Sequence, residues 1–295
     1  VEETLPKTPN KDKIKYALMW ADHTWVNYFP YPYDPAKVNW LLPLRHSAKN
    51  FDRVMQHCIE RHFNQPNYWK VKNADGKEGV YFSLFGPEGF VDQLGGPAKA
   101  KAVLDAARDK VRKAGLGEVH FAAFTGIPQS IPNMKAAGFD SMTSYNVTTM
   151  SSRLDVTKTP FEEYDDFVER HESYWDNMDT GVLPYGPVAT VGWDATPRWE
   201  RDVPWPPQRT HYPYTPTVIN NTPEKFGGLV RRALRHMDSS KLTPPALFIN
   251  SWNEWTEGGP LLPQEKYGDG YLKELKKALD EHDSQRSTTR PSNEK

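Results

Sequence analysis

The sequence ALFINSWNEWTEGGPLLP, residues 246–263, runs from an apolar segment through two carboxylates to a Gly-Gly-Pro break. Its first half has the length and composition of a buried strand. Glu254 and Glu257 follow that strand directly and are flanked by Trp252 and Trp255. Ligand sites of parallel α/β folds lie where the chain leaves the carboxyl ends of strands. The stretch therefore predicts a parallel sheet with a site at its edge.

Outward from this stretch, strand-like and helix-like segments alternate. Five more apolar, β-branched or aromatic runs predict strands, at 15–20, 80–85, 119–124, 139–145 and 187–193. Helical periodicity is present at 48–63, 98–115, 159–178, 222–240 and 271–282. Thr-Pro pairs at 159–160 and 222–223 place a capping hydroxyl before a proline and predict two helix starts. This order predicts an α/β fold whose parallel sheet is covered by helices.

Composition excludes several classes of function. The chain has 37 Lys+Arg against 38 Asp+Glu and no basic cluster, so nucleic acid and anionic membrane surfaces are not predicted partners. No apolar run reaches the ~18 residues of a membrane span. The single Cys58 excludes an internal disulfide and a multi-cysteine zinc site. No G-x-G-x-x-G follows a strand, and neither a P-loop motif nor Asp-x-Asp occurs, so no cofactor or metal is predicted.

Aromatic and polar side chains gather after the predicted strands, as expected of a surface that stacks on sugar rings and hydrogen-bonds their hydroxyls. The candidate substrate-binding residues are Trp20, Asp22, His23, Trp25, Tyr145, Trp193, Asp194, Arg198, Trp252, Asn253 and Trp255. We expect the five tryptophans to lie at or near one cleft, together with both glutamates. A helix-capping Asp22 with a solvent-facing His23, and a surface ion pair of Asp194 with Arg198, are the plainer alternatives.

The two glutamates are the candidate catalytic pair. Cleavage of a glycosidic bond needs one carboxyl group that lends a proton and a second that remains charged, and differing burial separates their pKa values. A turn starting at Glu254 would bring Glu257 to the same side of the chain. By contrast, His57 and His62 in HCIERH lack the spacing of a zinc-protease motif, and they are predicted to lie on a helix surface. The loop at 193–217, with six prolines, is predicted to be functional.

Four stretches together resemble the glycoside hydrolase family 99-like proteins, also called the WbsX family: FINSWNEWTEGGPLLPQEKYGDGYLKEL at 248–275, ALMWADHTW at 17–25, FDSMTSY at 139–145 and VGWDATPRW at 191–199. The resemblance covers about residues 14–282. It implies a (β/α)₈ TIM barrel and a polysaccharide-related activity. It also implies Glu257 as general acid and Glu254 as the base that deprotonates the substrate 2-hydroxyl, with an anhydro-sugar intermediate. The group usually carries Asn where Asp22 stands.

The leading hypothesis is a hydrolase of internal α-glycosidic bonds in a polysaccharide or glycan. A glycosyltransferase of polysaccharide assembly and a non-catalytic carbohydrate-binding barrel remain alternatives. Export from the cytoplasm is expected of the hydrolase, and a cytoplasmic location of the glycosyltransferase.

The predicted organisation is an extension or truncation scar at 1–13, a barrel of about six βα units at 14–283, and a disordered tail at 284–295. A closed barrel needs eight units. We therefore expect that the first two βα units, on the order of 100 residues, are missing from this chain or are supplied by another chain.

Overall fold

The computed structural model describes residues 4–72, 76–147, 157–208, 211–240, 242 and 244–289. Its strands are β1 Leu18–Trp20, β2 Trp25–Val26, β3 Trp40–Leu42, β4 Lys70–Lys72, β5 Glu78–Phe85, β6 Glu118–Phe124, β7 Ser141–Thr143, β8 Phe161–Glu163, β9 Tyr185–Gly186, β10 Val188–Thr190, β11 Thr217–Ile219 and β12 Phe248–Asn250. Its α-helices are α1 Ala48–Arg61, α2 Pro87–Gln93, α3 Pro97–Lys113, α4 Ile131–Ala136, α5 Tyr164–Met178, α6 Pro223–Ser239 and α7 Gly270–Thr289.

The parallel strands form one wall in chain order. Strands β1, β5, β6, β7 and β9 pair in parallel, and β4 adds to the start of β5 in the antiparallel sense. After Pro187 the chain continues from β9 into β10, which pairs in parallel with β12. Each of the six predicted strands overlaps a strand of this wall, so the predicted parallel α/β arrangement is confirmed. Within the described residues no ladder joins β12 back to β1.

The two faces of the wall are buried in different ways. On β5, Val80, Phe82 and Leu84 belong to the large core that also contains the buried faces of α1 and α3. Tyr81 points to the opposite face, because successive side chains alternate across a strand. There it packs in a smaller cluster that includes the partly buried Ala17 and Phe248. Side chains from the first and the last parallel segments therefore meet on one inner face, as in a barrel.

Of the two helix starts predicted from Thr-Pro pairs, one is confirmed and the other is wrong, and the last helix is longer than predicted. Helix α6 begins as predicted, with the Thr222 hydroxyl accepting a hydrogen bond from the backbone N–H of Lys225. Helix α5 begins at Tyr164 instead, because residues 161–163 form β8, which pairs in parallel with β11. Helix α7 continues to Thr289, past the predicted end at 282. The rest of the predicted tail, 290–295, lies outside the described residues.

One histidine prediction is wrong. His62 is buried, with 4% of its surface exposed, and its Nδ1 is 3.2 Å from the Tyr16 hydroxyl, whereas His57 is exposed on α1 as predicted. Chain reversal after α1 carries His62 against the start of the β1 segment, a tertiary contact that helical periodicity does not encode. No described helix is long and apolar enough to cross a membrane. The roles proposed for residues 1–13 and for a missing segment remain predictions.

Candidate active site

A cavity of about 530 Å³ lies where the chain leaves the carboxyl ends of the parallel strands. Its walls come from the segments that end or follow β1, β5, β7, β10 and β12. The residues that line it are Met19, Ala21, His23, Tyr28, Phe29, Phe85, Tyr145, Asn146, Trp193, Arg198, Tyr212, Glu254 and Glu257. This volume falls within the range of small-molecule sites.

A short turn after β12 brings the two glutamates into this cavity. Residues Trp255–Glu257 form one 3₁₀ turn, and the backbone N–H of Glu254 donates to Ser251 Oγ at 3.1 Å. The carbonyl of Glu257 accepts from the backbone N–H of Asp194 at 2.7 Å, which ties the turn to the segment after β10. The Glu254 side chain is 35% exposed and that of Glu257 is 8% exposed. The environments of the two carboxyl groups therefore differ, as an acid/base pair requires.

Arg198 holds both carboxylates. Its Nη1 lies 2.9 Å from Glu257 Oε1, and its Nη2 lies 2.8 Å from Glu254 Oε1. Its Nε also donates to Thr256 Oγ1 at 3.0 Å, so the guanidinium contacts the turn at Glu254, Thr256 and Glu257. The side chain is only 12% exposed. The alternative of a surface ion pair with Asp194 is therefore wrong.

Tyr212 completes the contacts of Glu257. Its hydroxyl donates to Glu257 Oε1 at 2.7 Å and also contacts Arg198 Nη1. Burial raises the pKa of Glu257, whereas the hydrogen bond from Tyr212 and the charge of Arg198 act in the opposite direction. Glu257 Oε2 is buried and has no hydrogen-bond partner among the described residues. Because Oε1 already accepts from two donors, Oε2 is the oxygen available to carry a proton.

An aromatic segment after β2 forms the opposite wall. The rings of Tyr28 and Phe29 have their centroids 5.6 Å and 5.7 Å from the Arg198 guanidinium carbon. The backbone N–H of Tyr31 donates to the Arg198 carbonyl at 2.8 Å, which fixes this segment against the loop at 193–217. Neither Tyr28, Phe29 nor Tyr212 was predicted from the sequence. The dense aromatic and proline run YFPYPY at 28–33 was the available signal.

Four of the predicted site residues other than the glutamates line the cavity, namely His23, Tyr145, Trp193 and Arg198. The Trp193 ring is fixed by its Nε1, which donates to Thr215 Oγ1 at 2.9 Å.

 Asp194 does not line the cavity, and it contributes from behind the wall through its backbone N–H, which donates to the Glu257 carbonyl. Its carboxylate instead accepts from the backbone N–H of Thr196 at 3.0 Å and so caps the next turn. The structure therefore gives the Asp194 side chain a structural contact rather than a substrate-facing position.

The other predicted contact residues lie outside the cavity lining, and Trp193 alone of the five tryptophans belongs to it. Trp25, Trp252, Asn253 and Trp255 are exposed outside it. Asp22 and Trp20 point into the protein, where Asp22 Oδ2 is 2.7 Å from His46 Nε2 and the Trp20 ring packs edge-on to the His46 ring. Neither the predicted sugar contact nor the helix-cap alternative describes Asp22.

Gly258 gives the first testable prediction. It has φ +70°, and a Cβ there would lie 2.5 Å from the backbone nitrogen of Asp194. Gly258→Ala should destabilise the protein by about 1–3 kcal/mol in urea unfolding and should lower activity, because it separates the two segments that hold Glu257. The matched control is Gly228→Ala on α6, where no atom lies within 4 Å of the added Cβ. That control should stabilise the helix by about 0.5–1 kcal/mol. Equal effects of the two substitutions would contradict this account of the turn.

The charges in the cavity define which ligands it suits. Its described lining carries Glu254, Glu257 and Arg198, and the arginine is paired with both glutamates. His23 is the one histidine among the described lining residues. Among the described residues, no group of three or more His, Cys, Asp or Glu side chains could hold a metal ion. The geometry thus provides acidic and hydroxyl groups in an aromatic frame, an arrangement that suits neutral polar ligands.

The fold and the site define the class: an α/β-barrel-type protein with a glutamate pair in an aromatic cavity at the strand ends. The chain belongs to the family described as glycosyltransferase WbsX, whose pattern it matches over residues 2–275.

Two curated relatives are 23% identical to it over 274 residues. Both are the uncharacterised protein WxcX of Xanthomonas campestris pv. campestris, from strains ATCC 33913 and B100. The match covers 90% of this chain but 35% of theirs, so the chain spans about a third of the length of these relatives.

Solved structures with a similar fold include the GH99 endo-α-mannosidase from Bacteroides thetaiotaomicron. In its complex with bis-tris-propane it is 17% identical, with a TM-score of 0.52 over 83% of this chain and 68% of that one. A second structure of the enzyme is 15% identical, with a TM-score of 0.51 over 82% of this chain and 64% of the other. These similarities confirm the TIM-barrel type of fold.

Proposed function

We propose that the protein is a glycan-acting enzyme that hydrolyses internal α-glycosidic bonds of a polysaccharide. The observation that carries the proposal is the unequal glutamate pair: a buried Glu257 and a more exposed Glu254, both held by Arg198 in one cavity. The similarity in fold to an endo-α-mannosidase supports the same class of reaction.

In the proposed reaction Glu257 protonates the departing glycosidic oxygen. Burial raises its pKa, which favours the protonated form that a general acid needs. Glu254 acts as the base that removes a proton from the substrate 2-hydroxyl or from water. Arg198 positions the two carboxyl groups, and the Tyr28 and Tyr145 rings lie where they can contact the sugar. These roles rest on position and electrostatics.

The second candidate is a glycosyltransferase, favoured by the description of the family. A nucleotide-sugar donor carries a diphosphate, and binding it calls for cationic groups or oriented backbone N–H groups. In this cavity the arginine is already shared between two carboxylates. The site's charge therefore favours a neutral glycan over a nucleotide sugar.

Assays of wild-type protein on a panel of α-linked polysaccharides test the proposal. Release of shorter oligosaccharides, with a new reducing end for each bond cleaved, is the expected result. Transfer of sugar from a nucleotide donor without hydrolysis would favour the glycosyltransferase. Binding with neither activity would identify a non-catalytic carbohydrate-binding barrel.

Tyr212→Phe provides a prediction about pH. The Tyr212 hydroxyl donates to Glu257 and lowers its pKa, so its removal should raise that pKa further above the ordinary value of 4.5. The general acid works only when protonated, so activity falls as pH rises through its pKa. The alkaline limb of the kcat/KM profile should therefore move to higher pH in the variant. Tyr214→Phe, at a neighbouring tyrosine outside the cavity lining, serves as control. An alkaline limb that shifts to lower pH would contradict the assigned contact.

A further inference from the structure

A second cavity of about 450 Å³ adjoins the first. The two cavities share Phe85, Tyr145 and Asn146 as a common wall, in which the Phe85 and Tyr145 rings meet edge to face at 5.4 Å. The far side of the second cavity is formed by Phe124, Ile127 and other residues of the segments after β5 and β6. The second cavity therefore lies beside the first along the strand ends, on the other side of the Phe85 and Tyr145 rings.

Polar groups are placed within this otherwise aromatic cavity. Ser130 Oγ donates to Glu88 Oε1 at 2.7 Å, and the Thr125 hydroxyl donates to the same oxygen. The second carboxylate oxygen, Oε2, has no protein partner among the described residues. The Tyr174 hydroxyl donates to Ser144 Oγ at 2.7 Å, which leaves its oxygen free to accept. A sugar hydroxyl that entered the cavity would find two oxygen acceptors and flat aromatic faces.

The charge of the cavity restricts the sugar that it accepts. Its described lining contains no Lys, Arg or His, and Glu88 is its one carboxylate. In the adjoining cavity Arg198 is already paired with two glutamates. A uronate ring would meet like charge without a cation to offset it, and like charges at close range are destabilising. An uncharged ring meets no such penalty.

We propose that the second cavity is a saccharide subsite for an uncharged pyranose ring next to the bond that is cleaved, and that Glu88 is its specificity-determining residue. The proposal rests on the proposed function in that the ligand is a glycan. It adds that the substrate is a neutral polymer and that at least one further ring is bound beyond the catalytic cavity.

Calorimetric binding to the Glu257→Gln protein tests this, because binding is then measured without turnover. The probes are maltose and maltotetraose, α-mannobiose and α-mannotetraose, and α-linked tetragalacturonate. At least one of the two neutral tetrasaccharides should bind about ten-fold more tightly than the disaccharide of the same sugar. We call this increase in affinity the length gain; it is the increase expected from one hydrogen bond to a charged group and added ring contact. Glu88→Gln and Tyr174→Ala should each remove most of that gain and leave disaccharide affinity nearly unchanged. Glu169→Gln, on the exposed side of α5, is the matched control.

Tetragalacturonate should bind more weakly than the neutral tetrasaccharides, and Glu88→Gln should narrow that difference. The proposal is overturned if the length gain survives both substitutions, if tetragalacturonate binds best, or if no neutral tetrasaccharide binds. A length gain that depends on Glu88 in a protein without hydrolytic activity would leave the subsite standing and refute the proposed function. Hydrolysis by a protein whose length gain does not depend on Glu88 or Tyr174 would support the proposed function and refute the subsite.

Discussion

Glu257→Gln should lower kcat/KM for hydrolysis by on the order of 10²–10⁴-fold, the usual contribution of a positioned general acid. Glutamine has nearly the same size and can still accept the hydrogen bond from Tyr212, so the protein should fold normally. The glutamine side chain cannot act as a general acid, because its amide does not transfer a proton to the leaving oxygen. Initial rates of reducing-end release on the best polysaccharide of the panel provide the measurement.

The leaving group separates acid catalysis from other causes of lost activity. A dinitrophenyl glycoside needs little protonation when it departs, so Glu257→Gln should lose far less activity on it than on the polysaccharide. Glu254→Gln should lose activity on both, because the base is needed whichever group leaves. Glu169→Gln should match wild type. Full activity of Glu257→Gln on the polysaccharide would eliminate the assigned role.

The wall of parallel strands was predictable because its signals are local. An apolar run such as 119–124, buried on both faces of a sheet, shows in the sequence without knowledge of its neighbours. The short strands β2, β3 and β8 were not predicted. Their pairing depends on partners distant in sequence, as between Phe161 and Thr217, and their two or three residues carry no periodicity of their own.

The site was predictable at the level of strand ends but not of side-chain direction. The strand-end rule brought Glu254, Glu257 and Arg198 together correctly in space. It could not tell that a residue two positions past a strand, such as Asp22, turns inward while its neighbour His23 faces the cavity. Nor could it show that Tyr212, far along the 193–217 loop, folds back onto Glu257, since that contact depends on the path of the whole loop.

The inward position of Asp22 predicts a large effect on stability. Its carboxylate and the His46 ring form a pair whose side chains are both fully buried. Removing one partner of a buried pair leaves a polar group without compensation, so His46→Ala should lower the free energy of unfolding by about 3–5 kcal/mol. Urea denaturation at pH 7 measures this. Lys276→Ala, which breaks the exposed pair with Asp280 on α7, should cost less than about 1 kcal/mol.

The pH dependence of that loss identifies its cause. Burial raises the pKa of Asp22, and His46 opposes this effect, so without His46 the folded-state pKa should rise further. A carboxyl group with a raised folded-state pKa favours folding below its unfolded pKa of 3.8, and that contribution disappears as pH rises through the folded-state value. The loss of unfolding free energy in His46→Ala should therefore be smaller near pH 4 than at pH 7.

If Asp22 were a sugar ligand instead, Asp22→Asn would weaken glycan binding while leaving the free energy of unfolding unchanged. We expect instead that Asp22→Asn lowers the free energy of unfolding and changes glycan binding less. The reason is that this carboxylate contacts His46 and lies outside the lining of the cavity.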